Sequence, residues 1–379
     1  MNSQLEFFDR LQDQLDSQKP FVAYSKPENN SRVKAFLQKE MMSYSTNDLK
    51  DSGFVFAPFQ PEKPAYLIPY DHSDLIECEF DGSNYENGES RSVESANSET
   101  QKTSHEKLVK DAILEIEKGS FEKVVLSRSE AVQAGALKPL NIFQTILSKY
   151  ATAMVYIWFH PETGIWMGAT PETLVESHRT NFKTMALAGT QLYKEGHSVN
   201  WGTKEIEEQE FVTSYIYTAL QEMDGIYQVK ASEPYTKRAG NILHICTDIT
   251  GKLKSARDIG ELVKALHPTP AVCGLPKESA LRFILDNENY DRQYYSGFLG
   301  ELNIKNEVKR SGNRRNQENQ QFAAISTKTH LFVNLRCMKI DSGIANIFVG
   351  GGITKDSKPE DEWQETVNKS QTMKTVLVK

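Results

Sequence analysis

The sequence predicts a large α/β or α+β enzyme fold built on β-sheets. Apolar, strand-like segments occur along the whole 379-residue chain, several follow one another as antiparallel pairs, and amphipathic helices separate the others. The chain has neither a regular βαβ alternation nor an internal repeat, which disfavours a doubly wound sheet and a solenoid. With 39% hydrophobic and 25% charged residues, the composition is that of a globular protein.

Periodicity predicts the individual elements in chain order. The predicted helices, which share an apolar stripe of helical period, cover residues 4–16, 108–119, 140–150, 204–223, 258–266, 276–287 and 359–378. The predicted strands, which share apolar runs, cover residues 21–27, 54–59, 121–132, 153–160, 164–170, 184–190, 298–304, 330–340 and 345–352. Residues 86–104 and 309–321 are almost free of apolar side chains, so we predict a linker and a polar insertion there.

Composition also excludes several classes of function. A net charge of -7 argues against nucleic acid as the main partner, although a local basic pocket can still bind an anion. Four cysteines without CxxC spacing indicate a reduced compartment and no zinc site. The polar N-terminus lacks the pattern of a signal peptide, and no stretch approaches the roughly 18 apolar residues of a membrane span. We therefore expect a cytoplasmic protein with no membrane partner.

The most informative segment lies near the C-terminus, where Gly350–Gly352 precede an acidic helix. A glycine turn with free backbone N–H groups suits a carboxylate or phosphate. On the helix, Glu362, Glu365 and Lys369 fall on one face, and two such glutamates suit Mg²⁺. The alternative is an ordinary turn followed by a solvated helix face with weak ion pairs.

Two further segments offer candidates for metal binding and for proton transfer. Glu205 and Glu208 share one face of a second helix, so the two glutamate pairs could converge on one Mg²⁺, the alternative being solvated acids. Lys123 lies in an apolar strand, where an apolar wall favours a neutral amine that can act as a general base. The alternative for Lys123 is a strand-end lysine that reaches to water.

Glu172 follows an apolar strand, where a fixed glutamate can protonate a leaving group; the alternative is a first-turn glutamate favoured by a helix dipole. Gly189 and Thr190 end another apolar strand, where their N–H and hydroxyl groups could meet a carboxylate, or simply form a turn. His267 lies in a proline-rich stretch, and a binding role requires that it lie beside the anion instead of in the core.

Tyr295 and Arg336 complete the candidates. Arg336 is predicted to lie in an apolar strand, where an arginine needs an anionic partner. The fork of a guanidinium group matches a carboxylate, which favours substrate binding, while a structural ion pair is an equal alternative.

Taken together, these segments resemble the chorismate-utilising enzymes, a family that includes isochorismate, salicylate, anthranilate and aminodeoxychorismate synthases. The shared motifs, in chain order, are KVVLS, GATPE, ALAGT, an E-x-x-E helix, LHPTPAVCGLPKE, YYSGFLGEL, NLRC and GGGIT–PEDEWQET–K. The resemblance implies two large, packed antiparallel β-sheets flanked by helices, with the active site deep between them. It also implies that residues 105–379 form the chorismate-binding catalytic region, and that residues 1–104 form an N-terminal part of one structural unit.

Within the family, the resemblance points to isochorismate synthase. Lys123 matches the lysine that activates water, and Ala188 matches members in which a nucleophile reaches ring carbon C2 directly. His267, within LHPTPAVCG, also resembles isochorismate synthases. Two departures are Gln209, where the family usually has histidine, and the length of the 309–321 insertion.

The resemblance implies a role for each candidate. Lys123 would take a proton from the water that attacks C2, and Glu172 would protonate the departing C4 hydroxyl. The implied ligands of Mg²⁺ are Glu208 and Glu365, supported by Glu205 and Glu362. The implied substrate-binding residues are Gly189, Thr190, His267, Tyr295, Arg336, Gly352 and Lys369.

Two alternatives remain at this point. A salicylate synthase would go on to eliminate pyruvate, and a paralogue without catalysis would only bind an anion. The favoured interpretation is a monomer that acts on chorismate without a glutaminase subunit, and the sequence leaves open whether its product enters menaquinone or siderophore synthesis.

Overall fold

The fold is described from a computed structural model, which defines residues 2–27, 31–83, 99–133, 138–193, 195–196, 199–239, 242–307 and 325–377. Within these ranges the chain forms two antiparallel sheets and seven α-helices. The helices are α1 (Gln4–Asp16), α2 (Glu99–Glu117), α3 (Pro139–Lys149), α4 (Thr203–Glu222), α5 (Ile259–Leu266), α6 (Lys277–Asn287) and α7 (Pro359–Lys374). No helix in the described ranges is long and apolar enough to cross a membrane.

The strands of the first sheet are β1 (Phe21–Ser25), β2 (Arg32–Gln38), β6 (Ser73–Glu79), β7 (Lys123–Gln133), β8 (Met154–His160), β9 (Gly164–Thr170), β15 (Gly274–Leu275), β18 (Cys337–Asp341) and β19 (Ile344–Ile353). Their spatial order is β15-β7-β19-β18-β9-β8-β1-β2-β6. The strands of the second sheet are β3 (Ser45–Thr46), β4 (Gly53–Ala57), β5 (Ala65–Pro69), β10 (Thr173–His178), β11 (Asn181–Leu192), β12 (Ile226–Ala231), β13 (Tyr235–Ala239), β14 (Ile242–Leu253), β16 (Phe298–Glu307) and β17 (Ile325–Val333). Their order is β12-β14-β11-β10-β17-β16-β4-β5-β3, and β13 also pairs with β14.

The two sheets pack face to face through a core of large aromatic side chains. Trp158 and Trp166 of the first sheet contact Phe56 of the second, with ring centroids 5.0 and 5.9 Å from that of Phe56. Alternate side chains of a strand point to opposite faces, so the outer faces need separate cover. Helices α1, α3 and α7 cover the first sheet, and α4 and α5 cover the second. This arrangement confirms the predicted fold class.

The N-terminal part of the chain contributes to both sheets. Strands β1, β2 and β6 belong to the first sheet, while β3, β4 and β5 belong to the second. Helix α2 begins at Glu99, so the last six residues of the predicted linker 86–104 are helical. The rest of that linker and the predicted insertion 309–321 lie outside the described residues.

The predicted strand over residues 330–340 is wrong in an instructive way. The segment forms β17 and β18, which belong to different sheets, and residues 334–336 connect them. Asn334 fixes the crossing, because its side chain accepts a hydrogen bond from the Tyr156 hydroxyl at 2.6 Å and donates to the Tyr294 carbonyl at 2.9 Å. Apolar side chains flank the crossing on both sides, so the segment has the pattern of one strand and periodicity could not reveal the crossing.

A buried ionic network attaches α7 to β7. The Glu130 carboxylate is 1% exposed and is paired with both Lys374 of α7 and Arg128. The Arg128 guanidinium also donates to the Thr366 hydroxyl at 2.8 Å and lies over the Trp363 ring at 4.4 Å. A buried carboxylate requires such compensation, and the network therefore fixes where α7 lies on the sheet.

A second buried ion pair supports the other side of β7. The side chains of Arg292 and Glu288 are each 2% exposed, and Arg292 Nη2 lies 2.6 Å from Glu288 Oε1. The Arg292 guanidinium also donates to the carbonyls of Val125 at 2.6 Å and Val272 at 3.0 Å, while the Ser127 hydroxyl donates to Glu288 at 2.9 Å. This arginine thus joins a strand, a loop and a carboxylate in the interior.

We predict that Arg292→Leu lowers the free energy of unfolding by about 3–5 kcal/mol, because Glu288 is left charged and buried without its partner. Urea denaturation measures the change. A matched substitution in an exposed pair, Lys107→Leu opposite Asp111, should cost less than about 0.5 kcal/mol. The double variant Arg292→Leu, Glu288→Leu should recover part of the loss, whereas a loss below about 1 kcal/mol in Arg292→Leu would contradict this account.

Candidate active site

A cavity of about 190 Å³ lies between β7, β19 and α7 on one side and β11, β14 and α4 on the other. The structure brings most of the predicted site residues to its wall: Lys123, Glu172, Gly189, Glu205, Glu208, Tyr295, Arg336, Gly352, Glu362, Glu365 and Lys369. Apolar side chains such as Val125, Leu187 and Phe348 form much of the remaining lining. A concave site with convergent charged groups and apolar walls is the usual form of a site for a small anionic molecule.

The glycines Gly350–Gly352 lie within β19, so the predicted glycine turn is wrong. Each glycine pairs with β7, and β18 pairs with β19 only as far as Phe348, which leaves the other edge of the glycine stretch beside the cavity. A Cβ atom on Gly351 would lie 3.2 Å from Glu362 Oε2 and 3.7 Å from Glu365 Oε1. The absence of a side chain at Gly351 therefore lets these carboxylates approach the backbone itself.

Helix α7 positions its acidic face against this strand. Pro359 occupies its first turn, and acidic residues in that turn suit the positive end of the helix dipole. The Ser357 hydroxyl donates to Glu362 Oε1 at 2.6 Å, which fixes that buried carboxylate. Lys369 Nζ lies 2.6 Å from Glu365 Oε1 and donates to the Gly350 carbonyl at 2.9 Å. The predicted common face of α7 therefore points into the cavity.

Helix α4 contributes the second pair of glutamates from the opposite sheet. Gly189, at a bulge in β11 with φ +68, would place a Cβ atom 3.1 Å from Glu205 Cβ, so α4 lies directly on this backbone. Glu208 Oε1 lies 2.6 Å from Lys123 Nζ, which means that Lys123 contacts a carboxylate as well as the expected apolar wall. Gln209 points away, because its amide donates to the hydroxyls of Thr213 and Thr247, both at 2.7 Å. This glutamine anchors α4 on β14.

The donor chemistry of the cavity fits a hard divalent cation. Four carboxylates from two helices line one cavity, and carboxylate oxygens are the ligands that Mg²⁺ takes in proteins. Within the described ranges, no three His, Cys, Asp or Glu side chains already form a cluster of metal-binding geometry. At present two of the four carboxylates contact lysine ammonium groups, which supply the positive charge that a cation would otherwise provide.

Glu172 is held in the interior between β9 and β10. It is 3% exposed, and burial raises the pKa of its carboxyl to about 7, although the nearby charges of Lys237, Lys123 and Arg336 oppose the rise. The Val333 N–H donates to the Glu172 carbonyl at 3.0 Å, which ties this residue to the crossing segment. A carboxyl with a pKa near neutrality can donate a proton at physiological pH.

Arg336 lies at the crossing between the sheets, so the prediction that it lies within an apolar strand is wrong. Its φ of +47 is unusual for a residue with a side chain, and its carbonyl accepts a hydrogen bond from Ala169 N at 3.1 Å. Burial lowers the pKa of its guanidinium, although the charge persists because arginine stays protonated in proteins. The break in the strand allows the guanidinium to reach the cavity.

His244 is a cavity residue that sequence reasoning missed. Its Nδ1 lies 2.8 Å from the Gly189 carbonyl, which can only accept, so Nδ1 carries the proton. Nε2 lies 3.4 Å from Arg336 Nη2, and burial, aided by the Arg336 charge, lowers the pKa of the ring to about 4. The imidazole is therefore neutral, with a lone pair directed toward Arg336. A lone histidine in the apolar run ILHIC was the available signal.

Two further predicted substrate-binding residues are Tyr295 and Thr190. The Tyr295 ring stacks on Phe348 at 5.7 Å, and a Cβ atom on Gly350 would lie 3.0 Å from its hydroxyl. Thr190 follows Gly189 in β11, and its side chain lies outside the described part of the chain.

His267 does not line the cavity, contrary to its predicted role in substrate binding. Its Nε2 lies 3.0 Å from the Pro58 carbonyl, and its ring meets Phe298 edge to face at 5.0 Å. Burial lowers the pKa of this ring to about 4. The proline-rich stretch turns its histidine into the core, so His267 is a structural residue.

The sequence of this chain is similar to those of known chorismate-binding enzymes. Residues 71–378 match the model of the chorismate binding enzyme family. The chain is 30% identical over 277 residues to the salicylate biosynthesis isochorismate synthase of Pseudomonas aeruginosa, covering 71% of this chain and 53% of that protein. It is 27% identical over 339 residues to isochorismate synthase EntC of Escherichia coli, covering 84% of this chain and 79% of EntC. The chain thus spans about half the length of the Pseudomonas relative.

The fold also matches a solved structure, that of MenF, the menaquinone-specific isochorismate synthase of Escherichia coli. The TM-score is 0.73 at 20% identity, with 95% of this chain and 89% of MenF covered. The family match covers most of the sequence, and the cavity contains the carboxylate and lysine groups expected from the motifs. The chain belongs to the chorismate binding enzyme family.

Proposed function

We propose that this protein is an isochorismate synthase, which isomerises chorismate with the help of Mg²⁺. The observation that carries the proposal is that Lys123 and the buried acid Glu172 line the same cavity as four carboxylates and an arginine. A base, an acid and an anion-binding group in one site are what a water-for-hydroxyl exchange on a dicarboxylate requires.

Lys123 and Glu172 divide the proton transfers. Lys123 takes a proton from water as the water oxygen bonds to ring carbon C2 of chorismate. The ring double bonds shift, the C4–O bond breaks, and the departing hydroxyl takes the proton of Glu172 and leaves as water. One water enters and one leaves, so the product is an isomer of the substrate. Leu187 contributes an apolar side chain to the wall of this cavity.

The substrate carboxylates are held by groups from both sheets. Arg336 offers the planar fork that matches a carboxylate, and His244 orients it through Nε2. Tyr295 and the free edge of Gly352 provide further donors at the cavity wall. The four glutamates Glu205, Glu208, Glu362 and Glu365 would hold Mg²⁺, which supplies positive charge against a substrate carboxylate when bound.

A salicylate synthase, which would go on to eliminate pyruvate, is the second candidate; the Pseudomonas relative is itself named an isochorismate synthase, of salicylate biosynthesis. Incubation of the purified chain with chorismate and Mg²⁺, followed by chromatographic separation of the products, distinguishes the two. We expect isochorismate in the absence of ammonia, glutamine or a partner subunit. Salicylate and pyruvate as the main products would favour the second candidate, and tight chorismate binding without turnover would indicate a non-catalytic protein.

Removal of the acid or the base should reduce kcat with little effect on binding. We predict that Lys123→Gln and Glu172→Gln each lower kcat on the order of 10²–10⁴-fold. The double variant should lose less than the product of the single losses, because both groups act in one step. Chorismate binding, measured by calorimetry, should persist in all three variants. Normal turnover in Lys123→Gln would show that another group activates the water.

The rate should also fall as pH rises above about 7, because Glu172 then loses the proton that it must donate. The sign follows from the raised pKa: the carboxyl is protonated below that value and ionised above it. A pH profile of kcat from pH 5.5 to pH 9 measures this fall in rate at high pH. The residual activity of Glu172→Gln should not show the fall, and an unchanged fall in that variant would assign the titration to another group.

Arg336→Lys should raise the KM for chorismate about tenfold or more, because lysine cannot form the bidentate contact with a carboxylate. The exposed Arg238, which lies over Tyr193 at 3.6 Å, provides a matched control. Steady-state kinetics of Arg238→Lys should match those of the unmodified protein. An unchanged KM in Arg336→Lys would mean that Arg336 serves the crossing segment alone.

A further inference from the structure

Lys123 and Glu208 are in direct contact across the cavity. Lys123 Nζ lies 2.6 Å from Glu208 Oε1, and their side chains are 8% and 22% exposed. Lys123 comes from β7 of the first sheet, while Glu208 comes from α4, which covers the second sheet. The pair therefore joins the two halves of the cavity at its wall.

The backbone of β19 confines this pair. A Cβ atom on Gly352 would lie 3.0 Å from Lys123 Cε, 3.5 Å from Lys123 Nζ and 3.4 Å from Glu208 Oε1. The ion pair is thus packed against a bare Cα atom of the strand that borders the proposed substrate site. A partly enclosed, charge-assisted hydrogen bond of this length is among the stronger contacts of a side chain.

The contact conflicts with the proposed functions of both residues. The Lys123 nitrogen, which would take a proton from water, is instead engaged with a carboxylate. The Glu208 carboxylate that would coordinate a cation is the group that accepts from Lys123 through Oε1. A cation and the ammonium group would both draw on this carboxylate, and like charges disfavour their presence together.

We infer that Lys123 and the divalent cation compete for Glu208, so that metal binding releases Lys123 for its catalytic function. The inference rests on the proposed function, because it takes Glu208 as a metal ligand and Lys123 as the base. Without the cation the site lacks positive charge beside the substrate carboxylate. It also lacks an available base, because Glu208 holds Lys123. Linkage makes the coupling reciprocal: the factor by which the Lys123 contact weakens metal binding is also the factor by which the bound metal weakens that contact.

Calorimetric titration of Mg²⁺ in the absence of chorismate tests the competition without any measurement of activity. Lys123→Met keeps the apolar stem and removes the ammonium group, and we expect the Kd for Mg²⁺ to fall about tenfold or more, the effect of losing one charge-assisted hydrogen bond. A Kd that is unchanged or higher in Lys123→Met would overturn the inference.

Removal of a positive charge near the cavity could by itself tighten metal binding, so a matched control is needed. The charge of Lys237 acts on the cavity residue Glu172, whose pKa it lowers. The Lys237 Nζ atom lies 3.4 Å from Met185 Sδ. Lys237→Met removes the same charge without freeing Glu208, and we expect a change in Kd of less than about threefold. Equal tightening in Lys237→Met and Lys123→Met would reduce the effect to general repulsion and overturn the inference.

Two further measurements separate this inference from the proposed function. Glu208→Gln should weaken Mg²⁺ binding. Unchanged binding would show that Glu208 is not a metal ligand, and the inferred competition would then be wrong. A crystal structure with Mg²⁺ should show Lys123 Nζ beyond hydrogen-bonding distance of Glu208 Oε1, and an intact contact beside a bound cation would refute the release. If both results are as expected but chorismate is not converted, the proposed reaction fails while the competition stands.

Discussion

The three consecutive glycines of β19 allow the backbone of that strand to lie directly against charged side chains. A Cβ atom at Gly351 would meet the carboxylates of α7, and one at Gly352 would meet Lys123 and Glu208. Glycine is normally unfavourable in a strand because it has no side chain to pack and loses more conformational entropy on folding. The strand is nevertheless stable, because Gly350–Gly352 pair along their whole length with β7 in the interior.

The glycine stretch is useful only if both helices are held in place, and buried polar contacts provide this: ion pairs beneath α7 and side-chain hydrogen bonds beneath α4. Glu130 binds Lys374 and Arg128, so α7 cannot slide along the sheet without leaving a carboxylate unpaired in the interior. On the second sheet, Gln209 binds Thr213 and Thr247 and fixes α4 on β14. Broken buried pairs cost more than imperfect apolar packing, so these contacts specify position strongly.

The electrostatics of the cavity follow from its depth. Burial raises the pKa of Glu172 and lowers that of His244, so an acid is kept protonated and an imidazole is kept neutral in one site. The lysines Lys123 and Lys369 balance the carboxylates Glu208 and Glu365. A site with this many charges is stable when each has a partner, and a ligand must exchange those partners for its own groups. This exchange connects binding of a cation and an anionic substrate to the state of the lysines.

The sequence by itself predicted the seven helices and the local constellations, whereas β2, β3, β5, β6, β10 and β12–β15 were not among the predicted strands. Glu362, Glu365 and Lys369 share a face of α7, and Glu205 and Glu208 share a face of α4, because helical spacing alone fixes which neighbours coincide. The ordered motifs identified the family, and the two-sheet architecture followed from that resemblance. These features depend on residues close together in the chain, so a sequence can reveal them.

Only the tertiary structure decided which distant groups meet. The segment around Arg336 leaves one sheet and enters another, which the apolar residues on both sides of the crossing conceal. His244 reaches the cavity and His267 does not, although both are single histidines in apolar surroundings. Lys123 meets Glu208 across 85 residues of sequence. Such contacts depend on how two sheets and their helices pack, and side-chain periodicity within one segment contains no information about the segment that faces it.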